Sequence, residues 1–108
     1  MDRDLSLQKK RFSHGGSVAE EILELRSLYV DYLRGEIDTM RCLLVRRNLT
    51  GIRELGHRLK GSGGSYGLHD ISELGEKIQN LSDQTEWDDI EAHFHRLEEM
   101  YEEIAEGL

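Results

Sequence analysis

The segment Ile52-Arg53-Glu54-Leu55-Gly56-His57-Arg58-Leu59-Lys60-Gly61-Ser62-Gly63-Gly64-Ser65-Tyr66-Gly67 reads in two ways. It is one helix throughout, or a short helix that gives way to a glycine loop at Lys60. Each of Gly61, Gly63 and Gly64 costs about 1 kcal/mol against alanine inside a helix, which favours the loop. Phase favours the helix. At about 100° per residue, Ile52, Leu55, Leu59 and Tyr66 fall within one arc of roughly 60°. Gly67 then supplies a left-handed stop. Where the helix ends between residues 61 and 67 is not fixed by the pattern. His57 lies nearly opposite the apolar arc, and Arg53, Glu54, Lys60, Gly61 and Gly64 lie within about 60° of it. The apolar positions form the back of this helix. Its front carries an imidazole, an ammonium group one turn later, and bare backbone beside them.

Outward from this segment the helical spacing continues. Asn48 can cap the helix. Beyond Gly67, Asp70-Ile71-Ser72-Glu73 resembles a helix start, and Ile71, Leu74, Ile78 and Leu81 follow at 3-4-3 spacing. Thr85-Glu86-Trp87-Asp88 can open a last helix, where Trp87, Ile90, Phe94, Leu97, Tyr101 and Ile104 make the clearest stripe in the chain. On the N-terminal side, Ser17-Val18-Ala19-Glu20 has capping-box spacing. From Val18 the series Ile22, Leu25, Tyr29, Tyr32/Leu33, Ile37, Met40 and Leu43/Leu44 runs to about Arg47, and Arg46-Arg47 suits a helix C-terminus. That is long for one helix. Gly35 could bend it, and a break over residues 27–29 would make its first part a separate short helix. Residues 1–16 are polar, end in Gly15-Gly16, and are expected to be a mobile tail.

No segment alternates with period two, and there is no proline. The fold expected over residues 17–108 is therefore all-α: an antiparallel, up-down-up-down four-helix bundle, with a short extra N-terminal helix allowed. Trp87, Ile90, Phe94 and Leu97 should face Ile71, Leu74 and Ile78. Gly56 and Gly75 should let helices approach closely.

The 108 residues suit one domain, with 37 % hydrophobic and 33 % charged content. A formal net charge of −8 argues against nucleic acid and anionic lipid as partners. No apolar run approaches membrane-spanning length. The single cysteine, Cys42, has no internal partner, as in a reducing compartment. A cytoplasmic, monomeric protein, or a cytoplasmic piece of a larger one, is expected.

Phosphoryl chemistry would use the front of the His57 helix. A neutral imidazole nitrogen is a nucleophile near pH 7, and the P–N bond it forms is labile enough to pass the group on. Lys60 could offset the added charge, and a glycine one turn after His57 leaves the ring approachable. His57-Arg58-Leu59-Lys60-Gly61-Ser62, followed by Gly67, resembles the signature of histidine-containing phosphotransfer (HPt) domains of multistep phosphorelays. The resemblance covers most of residues 28–101, and Gly63-Gly64 makes this segment richer in glycine than the common pattern. It implies a four-helix bundle whose exposed mid-helix histidine exchanges phosphoryl groups with the aspartate of response-regulator receiver domains. By position, His57 would be the phosphoacceptor, Lys60 the charge partner and Gly61 the clearance position. Arg53, Glu54, Arg58 and Gly64 would join Gly61 in contacting the partner. Ser62 and Gly67 would be structural, Ser62 by bonding back to the backbone. No ATP site is discernible, so the chain would be a phosphocarrier rather than an enzyme. It would need no cofactor, with Mg2+ on the receiver, and a hybrid sensor kinase would be a further partner.

Other signals are weaker. Gly63-Gly64-Ser65-Tyr66-Gly67 matches the G-x-S-x-G nucleophile elbow but lacks the strand that motif requires. His93 and His95 sit about 200° apart on a helix and cannot share a ligand face, so no metal is expected. The rival function is a helical docking module that binds a receiver or kinase without carrying phosphate.

Overall fold

The computed structural model describes residues 18–107, which form four helices: α1 (Val18–Val45), α2 (Leu49–Ser65), α3 (His69–Gln84) and α4 (Trp87–Glu106). Among the described residues there is no strand. The expected tail and the Ser17 cap lie outside the described residues, whereas the expected short helix before residues 27–29 is simply the first part of α1. α1 is unbroken across residues 27–29 and at Gly35. From Tyr29 onward its stripe is committed to the core, with Tyr29, Leu33, Ile37 and Met40 all buried, which holds that part of the helix to one regular path.

Pairs of residues along the helices fix an antiparallel order. Tyr29, in the N-terminal half of α1, meets Ser62 near the C-terminal end of α2, and Leu43, near the C-terminal end of α1, lies against Gly51 near the N-terminal end of α2. Arg53 reaches Asp83 and Lys60 reaches Glu76 across α2 and α3. α4 returns beside α1, where Arg34 reaches Tyr101 and Arg41 reaches Glu98. The expected core is present: Ile90, Phe94 and Leu97 are buried with Ile71, Leu74 and Ile78, and Trp87 packs on them half-buried. The Trp87 ring also carries the Arg47 guanidinium, 4.4 Å from its centroid.

The three connections share one device. Each of the first three helices is followed by a left-handed residue, and the backbone N–H groups of that residue and the next fold back onto the last carbonyls of the helix. After α1 the left-handed residue is Arg47 (φ 52°), with Arg47 N–H donating to Leu44 O and Asn48 N–H to Leu43 O. After α2 it is Gly67 (φ 74°), with Gly67 N–H to Gly64 O and Leu68 N–H to Gly63 O. After α3 it is Thr85 (φ 56°), with Thr85 N–H to Ser82 O and Glu86 N–H to Leu81 O. Asn48 caps α2 as expected, its side chain accepting from Gly51 N–H at 3.0 Å.

Two expected starts are corrected. α3 begins at His69, after Leu68, so Asp70 lies in its first turn rather than at its cap. α4 begins at Trp87 after Glu86, and Thr85 ends α3 instead of opening α4. Arg46 and Arg47 also lie beyond the last turn of α1. At Thr85 the tight stop of the preceding helix consumed a residue that the sequence offers as a cap.

α2 and α3 meet most closely, because glycines replace side chains between them. A Cβ on Gly56 would lie 2.7 Å from the Gly75 carbonyl, and one on Gly75 would lie 2.6 Å from both Gly56 O and Lys60 N. Gly63 makes a third such contact, against Ser72 N at 2.7 Å. The expected role of Gly56 and Gly75 holds, and Gly63 shares it.

Candidate functional site

The glycine segment is helix, not loop. α2 runs through Gly61, Gly63 and Gly64 to Ser65. Ile52, Leu55 and Leu59 are fully buried, which turns the opposite face of α2 outward. His57 stands on that outer face, exposed, in the middle of the helix. Arg53, Glu54, Lys60, Gly61 and Gly64 are exposed with it. Around a Cβ built on Gly61 nothing lies within 4 Å, and around one on Gly64 the nearest atom is Ser72 Oγ at 3.8 Å. Neither glycine is needed for close packing, unlike Gly56, Gly63 and Gly75. Among the described residues, no hydrogen bond or ion pair engages the His57 ring, so its nitrogens face solvent.

The cations around His57 are all tethered, to different degrees. Lys60 Nζ lies 3.8 Å from Glu76 Oε2, a loose pair with both side chains about half exposed. Arg53 Nε donates to Asp83 Oδ1 at 2.9 Å. Arg58 is held hardest. Its Nε donates to Glu36 Oε2 at 2.9 Å and its second terminal nitrogen to Glu36 Oε1 at 3.0 Å. The guanidinium therefore faces α1, and about half of the side chain stays exposed. The same Glu36 accepts from the Tyr32 hydroxyl at 2.6 Å.

Glu36 is the functional-site neighbour that sequence reasoning missed. It is a buried carboxylate, 6 % exposed. Burial by itself would raise its pKa, but the hydrogen bonds from Arg58 and Tyr32, and the Arg58 charge, outweigh it and hold the carboxyl below the usual range. Burial and the neighbouring carboxylate push the Tyr32 hydroxyl up to about 12. The available signal was an acid on the apolar stripe of α1, between Leu33 and Ile37, with an arginine on the next helix.

The Ser62 hydroxyl pairs with the Tyr29 hydroxyl of α1 at 3.0 Å, instead of the expected bond back to the backbone. Tyr66 departs from its expected core position. It lies past the last helical residue, is 40 % exposed, and stacks its ring 4.8 Å from that of Tyr29. Ser65 of the apparent nucleophile elbow sits in the last turn of α2, with no strand before it. His93 Nδ1 donates to the Asp89 carbonyl and His95 Nδ1 lies 3.2 Å from Glu98, so each is engaged on α4. Among the described residues no three His, Cys, Asp or Glu side chains gather in a metal-binding group, and no helix is long and apolar enough to cross a membrane.

The model of the Hpt domain family matches residues 24–107. Among individual proteins, the chain is 32 % identical over 77 residues to the aerobic respiration control sensor protein ArcB of Escherichia coli strain K12, and equally to that of Shigella flexneri. The match takes in 71 % of this chain and about a tenth of the length of those relatives. No solved structure matches it significantly. An exposed mid-helix histidine followed by lysine and an open glycine, on a four-helix bundle matched almost end to end by the family model, makes this chain a member of the Hpt domain family, the histidine phosphotransfer modules of two-component phosphorelays.

Proposed function

We propose that His57 accepts a phosphoryl group from the aspartyl phosphate of a response-regulator receiver domain and passes it on to another. One observation carries this reading: the imidazole is exposed in mid-helix beside a glycine whose side-chain position is open. The fold has no use for Gly61, which as a helical glycine costs about 1 kcal/mol, whereas an approaching protein does. Lys60, on the same face, supplies a cation for the phosphoryl oxygens.

The transfer balances without any further reactant. The unprotonated ring nitrogen of His57 gives its lone pair to phosphorus. The bond from phosphorus to the aspartyl oxygen breaks, and its electron pair stays on the receiver carboxylate. The other ring nitrogen keeps its proton throughout. The reverse sequence returns the group. Mg2+ would sit on the receiver, beside the aspartate, and the chain itself contributes a nucleophile, a cation and clearance. It acts as a carrier that does not phosphorylate itself from ATP. A sensor kinase would be the other partner, as the likeness to part of a sensor protein suggests. The exposed thiol of Cys42 suits a reducing cytoplasm.

The test is incubation with a phosphorylated receiver domain, followed by mass analysis for acid-labile phosphate. His57→Gln should abolish uptake, while His93→Gln and His95→Gln should load like the parent chain. Normal uptake by His57→Gln would defeat the assignment. A chain that binds the receiver but never takes up phosphate would instead be the docking module.

A further inference from the structure

Lys60 shares the front of α2 with a competitor for its charge. Its Nζ lies 3.8 Å from Glu76 Oε2, and the backbone packing of α3 brings that carboxylate there. Gly75, the residue before Glu76, touches α2 directly: a Cβ on it would lie 2.6 Å from Lys60 N. One turn earlier on α3, Ser72 Oγ donates to the Lys60 carbonyl at 2.8 Å. α3 is thus pinned to α2 at Lys60 by two contacts, and Glu76 leaves it within reach of the ammonium group. The pair itself is loose, with the lysine side chain 47 % and the glutamate side chain 54 % exposed. Exposed pairs of this kind are weak and easily exchanged for a better partner. A phosphoryl group on His57 would be such a partner, because it offers up to two negative charges and three acceptor oxygens.

We propose that Glu76 is a positioning residue for Lys60: its carboxylate draws the ammonium group toward α3 while His57 is bare, and yields it when His57 carries phosphate. This rests on the reading of His57 as the acceptor. The consequence is a moderated phosphohistidine. Lys60 stabilises the phosphoryl charge only after leaving Glu76, so the group is held less firmly than a free lysine would hold it. A carrier that must give its cargo away is served by that balance.

The experiment needs no protein partner. The full chain is loaded with phosphoramidate, and the 31P resonance that disappears in His57→Gln is titrated with pH. The second ionisation of that phosphoryl group reads the cation beside it. Glu76→Gln should lower the midpoint by about 0.2–0.7 pH unit, the size expected when an exposed pair no longer competes for the lysine. Lys60→Ala should raise it. In the Lys60→Ala background, Glu76→Gln should leave the midpoint where Lys60→Ala put it. The proposal is overturned if Glu76→Gln causes no shift. It is equally overturned if the shift is the same with and without Lys60, which would mean direct repulsion of the phosphoryl group by Glu76. No shift in Lys60→Ala alone would remove Lys60 from the site and Glu76 with it. Failure of the phosphorelay reading would appear elsewhere, in exchange with a receiver domain, and not in this titration. Circular dichroism of each variant controls for folding.

Discussion

Gly61 and Lys60 are neighbours with separable tasks, which substitution can tell apart. The Gly61 side-chain position is open, so nothing in the bundle resists a larger residue there. Gly61→Gln should leave the melting temperature unchanged or slightly raised, since glutamine favours helix over glycine by something under about 1 kcal/mol. It should still slow transfer from a phosphorylated receiver tenfold or more, because the reacting atoms must come within about 3–3.5 Å and a displacement of 1 Å is already costly. Lys60→Ala leaves the approach open. It should lower the transfer rate through weaker stabilisation of the phosphoryl charge, with no change in receiver binding measured by titration calorimetry. Parent rates in a well-folded Gly61→Gln variant would show that the docking face lies elsewhere. The sequence pattern was sufficient to group these residues on one face, because the arc opposite His57 is apolar throughout. It could not show that Arg58 turns away toward α1, since the partner responsible, Glu36, is 22 residues earlier on another helix.

Between helices, what the sequence disclosed depended on whether the chain used a glycine. All three connections end in the same backbone arrangement, yet only Gly67 announces itself. Arg47 and Thr85 hold left-handed conformations with side chains that do not favour them. The folded connections impose those conformations, and residue type alone gives no warning. In the sequence Thr85 consequently resembles the start of α4, whereas it terminates α3. A β-branched residue at φ 56° is the costlier of the two, by about 1–2 kcal/mol against glycine. Thr85→Gly should therefore stabilise the chain, by about 0.5–1 kcal/mol once the greater freedom of glycine in the unfolded chain is subtracted. Urea unfolding followed by circular dichroism measures it. A loss of stability would mean that the threonine side chain contributes contacts at the α3–α4 turn that outweigh its strain. The close approach of α2 to α3 was legible for the same reason as Gly67: Gly56 and Gly75 stand in otherwise strong helical stripes, where only packing repays a glycine.

For the molecule as a whole, the Glu36–Arg58 pair makes stability depend on pH in a way that can be signed. Glu36 is buried, and in the folded chain its carboxyl titrates below its ordinary value. A carboxyl whose folded pKa is depressed contributes stability above its unfolded pKa, about 4.3, and that contribution is lost as pH falls through the folded value. The parent chain should therefore weaken on acidification below roughly pH 4.3, with Glu36 among the groups responsible. Arg58→Met inverts the sign for this one group. The substitution keeps much of the side-chain volume but removes two donors and the charge, leaving Tyr32 as the remaining donor to Glu36. Burial then dominates, the Glu36 pKa rises above its unfolded value, and protonation favours the folded state. At pH 7 the variant should be less stable than the parent by about 1–3 kcal/mol, the penalty for a buried carboxylate left short of partners. The gap should narrow toward pH 4, because the variant neutralises its stranded charge as pH falls through the raised Glu36 pKa, while the parent keeps its pair until below about pH 4.3. Urea titrations of both chains at pH 7, 5.5 and 4 measure the gap directly. A difference that stays constant over that range would mean that Arg58 stabilises the bundle through the packing of its methylene groups rather than through Glu36.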